Sequence, residues 1–269
     1  MREAETRARV PAVAGAFYPA DPAALAGAVD RYIAAARYDG RPPKALVVPH
    51  AGYAYSGPVA GTGYATVLPA RSTVTRVVLL GPAHRVRVAA LAAPGADSFL
   101  TPLGPVEIDA DARATALTVH GVEVDDGAHA PEHSIEVQLP FLQRTLGSFR
   151  VLPIVVGHPS ADAVARVLEE LWGGPETLIV VSTDLSHYLD YESAAEHDLR
   201  TARAITALDV EGVADRDACG AYALRGLLRV AAAKGLEARL LDLRSSGDTA
   251  GSRDSVVGYG AVGFWEPTT

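Results

Sequence analysis

The feature that most constrains the fold is an alternation of short apolar runs with longer segments of helical periodicity. The runs at 45–48, 76–80, 151–156 and 177–181 are rich in Val, Leu and Ile, and each has the length of a short strand. Segments between them repeat apolar residues every three or four positions, which is typical of an amphipathic helix. Strands that are apolar throughout predict a sheet with helices on both faces. We therefore predict an α/β fold with a central, mainly parallel sheet flanked by helices.

The length of 269 residues suits one large domain. The sequence shows no internal repeat, low-complexity tract or linker, so we predict a single domain over residues 1–269 with its core at about 9–264. A hairpin is expected within 88–108, with its turn near 102–105. Closing strands are expected at 236–243 and 256–264.

Composition and charge disfavour several classes of partner. Asp and Glu total 32 against 24 Lys and Arg, a net charge of −8, whereas nucleic-acid binding needs clustered cations. No segment is apolar enough to span a membrane, and no apolar run follows the N-terminal arginines as in a secretory signal. We expect a cytoplasmic protein that binds neither nucleic acid nor membrane. Cys219 is the only cysteine, which excludes an internal disulfide and a Cys-rich metal site.

Residues that can bind metal or move protons follow several strands, at the point where each strand ends. They are His50 after 45–48, His84 after 76–80, Asp184 and His187 after 177–181, and Asp248 after 236–243. Ligands of open α/β sheets bind beyond the carboxyl ends of the strands. If these strands are parallel neighbours, their loops share one cleft.

Two histidines and one carboxylate form the ligand set of mononuclear non-haem iron sites. We predict that His50, His84 and Asp248 hold a metal ion. His187 is predicted to act as an acid/base, because imidazole titrates near neutral pH, with Asp184 orienting its ring. The same set could hold zinc with an activated water, and the spacing along the chain does not decide between the metals.

A helix is predicted to open at residue 132 after a polar loop. Its first turn carries Glu132 and His133, where a carboxylate is favoured and a neutral imidazole is tolerated. We predict that both point into the cleft and support catalysis. Tyr53 and Tyr55 fit a substrate pocket and core packing equally well, and we carry them as pocket candidates.

Six segments in order resemble the MEMO family, whose bacterial and archaeal members are also called AmmeMemoRadiSam system protein B. They are 11–19 (PAVAGAFYP), 48–57 (VPHAGYAYSG), 80–84 (LGPAH), 132–140 (EHSIEVQLP), 182–187 (STDLSH) and 246–248 (SGD). The resemblance implies the fold of class III, LigB-type extradiol dioxygenases. In those enzymes two histidines and an acid bind Fe(II), and a further histidine is the acid/base.

The resemblance also implies a role for individual residues. His50 and His84 match the two histidines, His187 matches the later one, and Asp248 matches the third ligand. Animal relatives have a cysteine there, with copper or iron binding attributed to them. The aspartate in this chain favours Fe(II), Mn(II) or Zn(II) over Cu(I), because it lacks the soft thiolate.

Three functions follow as alternatives. The first is a metal-dependent oxidoreductase similar to a dioxygenase, with Fe(II) favoured and Zn(II), Mn(II) or Cu as other metals. The second is a non-catalytic module that binds a peptide or small anionic ligand and acts with a radical-SAM protein, as the name of the bacterial system implies. The third is a zinc-dependent hydrolase in the same cleft.

Overall fold

The computed structural model of the protein describes residues 7–267. Over this range the chain forms strands and helices in alternation. The strands are β1 (Ala8–Arg9), β2 (Ala45–Val48), β3 (Arg76–Pro82), β4 (Leu91–Ala93), β5 (Ser98–Thr101), β6 (Gly104–Glu107), β7 (Val122–Val124), β8 (Arg150–Val156), β9 (Thr177–Ser182), β10 (His187–Leu189), β11 (Glu237–Ser245) and β12 (Val256–Trp265). The α-helices are α1 (Pro22–Ala35), α2 (Tyr53–Ala65), α3 (Ala110–Ala116), α4 (Asp126–His129), α5 (Leu139–Thr145), α6 (Ala161–Glu170), α7 (Tyr191–Thr206) and α8 (Ala221–Ala233).

The central sheet has the order β10-β12-β2-β9-β3-β8-β4-β7, and β11 pairs with β12. Its middle strands β2, β9, β3 and β8 are parallel, with Val48 opposite Ser182 and Leu80 opposite Val181. Antiparallel strands extend it on both sides, since β12 runs against β2 and β4 against β8. The predicted α/β class with a flanked sheet is confirmed, and the sheet is mixed at its margins.

A second, smaller sheet has the order β1-β5-β6. Strands β5 and β6 form an antiparallel hairpin in which Thr101 lies opposite Gly104. The predicted hairpin and the place of its turn are therefore confirmed.

Apolar side chains cover both faces of the central sheet. Strand residues are buried on both sides, as expected of parallel strands under two helical layers. One face packs against α3, α6 and α8 through residues such as Val47, Leu80, Ile154, Val181, Leu168 and Leu224. The other face packs against α1, α2 and α5 through residues such as Leu46, Leu79, Val180, Leu25, Tyr64 and Leu142.

Side chains cap the start of two helices. Asp21 accepts a hydrogen bond from the Ala24 amide at 2.8 Å, directly before Pro22 opens α1. Ser160 accepts one from the Ala163 amide at the start of α6.

The helix predicted to open at residue 132 begins later. A 3-10 helix spans Glu136–Gln138, and α5 follows from Leu139. The Glu132 carboxylate accepts hydrogen bonds from the His133 and Ser134 amides. Residues 132 and 133 are not helical, and a turn at 134–135 leads into the 3-10 helix.

Among the residues that the structure describes, no helix is both long enough and apolar enough to cross a bilayer.

Candidate metal centre

Three neighbouring parallel strands bring their following loops to one edge of the sheet. His50 lies two residues beyond the end of β2, Asp184 two beyond β9, and His84 two beyond β3. Because β9 lies between β2 and β3, these three loops leave the sheet side by side. The convergence expected from the ends of these strands is present.

Three imidazoles meet at this edge. His50, His84 and His133 each place one ligand atom so that the three atoms lie within 4.8 Å of one another. The His84 and His133 rings stack with centroids 4.7 Å apart, and His50 stands edge-on to both. The His50 side chain is 2% exposed, whereas that of His84 is 27% exposed, so the group opens to solvent beside His84. A set of three histidines with an open side could hold a divalent metal ion.

Glu132 lies directly behind this group and is itself buried. Its Oε2 accepts the His84 amide at 2.6 Å, and its Oε1 accepts the His133 and Ser134 amides, both at 2.9 Å. Burial alone would raise the pKa of Glu132, but hydrogen bonds from His84 and Ser134 hold it well below its usual range. Glu132 is therefore a carboxylate that can only accept hydrogen bonds.

The carboxylate determines which nitrogen of His84 carries the proton. His84 Nδ1 lies 3.0 Å from Glu132 Oε1, so Nδ1 must be the donor. The lone pair of neutral His84 is then on Nε2. Metal-binding histidines commonly have such a carboxylate partner on their other nitrogen, which orients the ring.

His133 supplies a test of whether a metal fits here. Its Nδ1 is buried and has no hydrogen-bond partner in the part of the chain that the structure describes, although Glu132 Oε1 is 3.3 Å away. Burial lowers the pKa of His133 to about 4, against the opposing charge of Glu132. Burial also holds the pKa of His50 well below its usual value, and His84 acts in the same direction. Neutral imidazoles and an unpartnered buried nitrogen fit a metal ligand set.

Asp184 lies against His50. Its Oδ1 accepts the His50 amide at 2.7 Å, and its Oδ2 lies 4.0 Å from His50 Nε2. Burial raises the pKa of Asp184 to about 7, despite hydrogen bonds from the His50 and Ala51 amides. Asp184 was predicted to orient His187, but its hydrogen bond goes to the His50 backbone.

His187 is exposed in β10, and its charge acts on His50. Partial burial of its ring lowers the pKa of His187, and His84 contributes in the same direction. Its ring stands edge-on to Tyr188, which is 79% exposed and has a left-handed backbone φ of 62°. The acid/base role of His187 stays a prediction.

Asp248 is not brought to the group. Its Oδ1 accepts the Tyr191 hydroxyl at 2.5 Å, and its Oδ2 accepts the Ser245 amide at 2.8 Å in a capping box. Both oxygens of its carboxylate are thus occupied by neighbours outside the three imidazoles. The predicted set was His50, His84 and Asp248, whereas the group that the structure brings together is His50, His84 and His133. A metal role for Asp248 stays a prediction.

The two tyrosine candidates differ. Tyr53 is 4% exposed, donates its hydroxyl to the Val137 carbonyl at 2.6 Å and packs against Phe141, so it is part of the core. Tyr55 is 41% exposed in the first turn of α2, and its pocket role stays a prediction.

The sequence did not place three further residues at this site, two that contact His50 and one that contacts Ser182. Cys219 Sγ lies 3.2 Å from His50 Nε2, and burial raises the pKa of this thiol to about 12. Ser182 Oγ lies 2.9 Å from His50 Nδ1, and Gln138 donates to Ser182 at 2.8 Å. Ser182 and Gln138 stand in two of the six segments, but nothing local indicates that their side chains meet.

Comparison with known proteins identifies the family. A sequence model described as Memo-like protein matches residues 9–263. A MEMO1 family protein from Methanopyrus kandleri is 38% identical, covering 95% of this chain and 98% of its own length. A MEMO1 family protein from Aquifex aeolicus is 37% identical, covering 94% and 97%.

A solved structure supports the fold alone. The crystal structure of an uncharacterized protein from Escherichia coli K12 superposes with a TM-score of 0.51 at 15% identity, covering 82% of this chain and 99% of that one. With the sequence matches over nearly its whole length, this chain belongs to the Memo-like protein family.

Proposed function

We propose that this chain is a metal-dependent enzyme with one divalent ion held by His50, His84 and His133. The observation that carries the proposal is that one nitrogen from each of three imidazoles lies within 4.8 Å of the other two, with one of the rings hydrogen-bonded to a buried carboxylate. Imidazole ligands suit Zn(II), Fe(II), Ni(II) and Cu(II). The preference for Fe(II) rested on Asp248, whose carboxylate accepts hydrogen bonds from Tyr191 and Ser245 and is not one of these three ligands.

A divalent ion in this position supplies a Lewis acid to a ligand that enters from the exposed side. The residues of the chain have separate roles around it. Glu132 would orient His84, and His187, which is exposed in β10, would exchange a proton with a bound substrate. We place zinc-type hydrolytic chemistry first, because three histidines with an open side are a ligand set of catalytic zinc.

An Fe(II)-dependent oxidoreductase is the second candidate, and Asp184 favours it. Its Oδ2 lies 4.0 Å from His50 Nε2, so a small movement would let Asp184 take the place of one histidine and leave two histidines with one carboxylate. That is the ligand set of non-haem iron oxygenases.

The binding-module alternative remains a proposal with its own observation. Arg85 follows His84 in an exposed loop, and its positive charge acts on His133. An anionic ligand or peptide would find a cation there. A purified radical-SAM protein from the same genome is the partner to test, by co-elution with wild type and with Arg85→Glu.

Metal binding is the first experiment. Protein purified without a histidine tag is stripped with chelator and titrated with Zn(II), Co(II), Mn(II) and, anaerobically, Fe(II). We expect about one equivalent for wild type and for His120→Ala, an exposed histidine elsewhere. His84→Ala and His133→Ala should lose binding, and undiminished binding by both would contradict the site.

Activity assays distinguish the hydrolase, the oxidoreductase and the binding module. The zinc form is screened against esters and phosphoesters, and the Fe(II) form against catechols with oxygen consumption as the readout. Turnover of neither class, together with binding of a phosphorylated or carboxylated ligand by the metal-free protein, would favour the binding module.

A further inference from the structure

The hydroxyl of Ser182 is saturated by three hydrogen bonds. Ser182 stands at the end of β9, between the strands that lead to His50 and His84, and is fully buried. Its Oγ lies 2.6 Å from the Ser134 carbonyl, 2.8 Å from Gln138 Nε2 and 2.9 Å from His50 Nδ1. A serine hydroxyl has one hydrogen to donate and two lone pairs to accept with, so only one of these partners can receive its hydrogen.

The orientation of Gln138 is fixed independently of Ser182. Its Nε2 lies 2.8 Å from the Pro49 carbonyl, which can only accept, and its Oε1 accepts the Tyr64 hydroxyl at 3.0 Å. A flipped amide would set two acceptors against each other at Pro49. Gln138 Nε2 therefore donates to Ser182 and cannot receive its hydrogen.

The Ser134 carbonyl is the acceptor for the Ser182 hydrogen. A carbonyl oxygen has no hydrogen, so a separation of 2.6 Å is favourable only if Ser182 donates across it. With its hydrogen used there and one lone pair taken by Gln138, Ser182 can only accept from His50.

We propose that Ser182 is a positioning residue that places the proton of His50 on Nδ1 and so presents the Nε2 lone pair to the metal site. The proposal deepens the proposed metal function but does not require it, because the network exists without an ion. The relevant groups are nearly inaccessible to solvent, with His50 2%, Gln138 1% and Ser182 0% exposed, so water does not compete for these bonds. The metal-free protein then already holds the tautomer that an ion needs, and binding requires no proton shift within the ring.

The alternative tautomer, with the proton on Nε2, also has neighbouring acceptors. With the proton on Nε2, His50 would face Cys219 Sγ at 3.2 Å and Asp184 Oδ2 at 4.0 Å. Loss of Ser182 Oγ should therefore move the proton toward Nε2, because that side offers acceptors when Nδ1 has none.

The test uses histidine labelled with ¹⁵N in the full-length, metal-free protein, with His50 assigned by a His50→Gln variant. Long-range ¹H–¹⁵N spectra separate the two tautomers. We expect the Nδ1–H form of His50 in wild type and a shift toward Nε2–H in Ser182→Ala. Thr145→Val removes a buried hydroxyl in α5 that donates to Phe141, and should leave the His50 tautomer unchanged.

Zinc affinity is measured on the same proteins by chelator competition. We expect roughly 10- to 100-fold weaker binding for Ser182→Ala, the usual cost of losing a partner of a metal ligand. An Nε2–H proton in wild type, or an unchanged Nδ1–H proton in Ser182→Ala, would overturn the proposal. If Ser182→Ala does not fold, the tautomer of His50 in wild type tests the proposal by itself. An Nδ1–H wild type that shifts on Ser182→Ala but binds no metal would sustain this inference and refute only the metal function.

Discussion

Glu132 holds His84 at two points, since its Oε2 accepts the His84 amide at 2.6 Å and its Oε1 lies 3.0 Å from His84 Nδ1. Backbone and ring of one candidate ligand are thus fixed by a single carboxylate. The same Oε1 accepts the His133 amide, so Glu132 couples two of the three imidazoles. Because the carboxylate contacts both His84 and His133, we expect metal binding to depend on the charge of Glu132.

Replacing Glu132 with Gln should weaken metal binding by about 10- to 100-fold. The Gln side chain presents an NH₂ group to donors of His84 and His133, so at least one donor loses its acceptor. Zinc titration with a competing chelator measures the effect. Glu123→Gln removes an exposed carboxylate from β7 and should bind like wild type. Equal affinity in both variants would mean that Glu132 does not orient the ligands.

Variants of His133 and Asp248 should differ in metal binding. His133→Ala removes one of three converging nitrogens, so we expect a loss greater than that of Glu132→Gln. Asp248→Ala removes a capping box outside the group and should keep the wild-type metal stoichiometry. Co(II) titration followed by visible absorption distinguishes them. The reverse pattern would restore the ligand set expected from the sequence.

His129 should make stability depend on pH. It is 2% exposed, its Nε2 donates to the Ala92 carbonyl at 2.9 Å, and burial lowers its pKa to about 4. Between that value and about 6.5 the unfolded chain binds a proton that the folded protein does not. The free energy of unfolding therefore falls as the pH falls through this window, by roughly 3 kcal/mol in all.

Urea unfolding at pH 7.5 and 4.5 checks the effect of His129. His129→Gln should reduce the pH dependence, because Gln does not titrate. His120→Gln changes an exposed histidine and should keep the wild-type dependence. Parallel pH profiles for wild type and His129→Gln would contradict the prediction.

Arg9 should stabilise the protein far more than an exposed arginine. It pairs with Glu136, which is 0% exposed and also accepts the Ala12 and Val13 amides and the Tyr18 hydroxyl. Removing one member of a buried pair leaves the other charge without compensation, which costs about 3–5 kcal/mol. We expect Arg9→Met to lower the free energy of unfolding by that amount.

An exposed pair provides the control for Arg9. Arg144 bonds Asp30 at 2.8 Å at the surface, and such pairs contribute about 1 kcal/mol or less. Urea unfolding of Arg9→Met and Arg144→Met should separate the two cases. Similar losses in both variants would show that burial of the Arg9–Glu136 pair is not what makes it costly to break.

The sequence by itself determined much of the fold and part of the site. A continuous apolar run can be recognised from its own residues, because a strand buried on both faces is apolar along its length. Four such runs predicted β2, β3, β8 and β9. The ends of such strands are also local features, so His50, His84 and Asp184 could be expected at one edge.

The tertiary structure alone decided which side chains complete the site. Asp248 follows a strand end as His50 does, but its carboxylate accepts the hydroxyl of Tyr191, a residue far away in sequence that only the folded chain brings to it. His133 was expected at the cleft, but its nitrogen joins those of His50 and His84 only in the folded chain, where Glu132 accepts the His133 amide. Contacts between residues far apart in sequence, such as His50 with Ser182 and Cys219, carry no local periodicity, because they arise only when the strands pair.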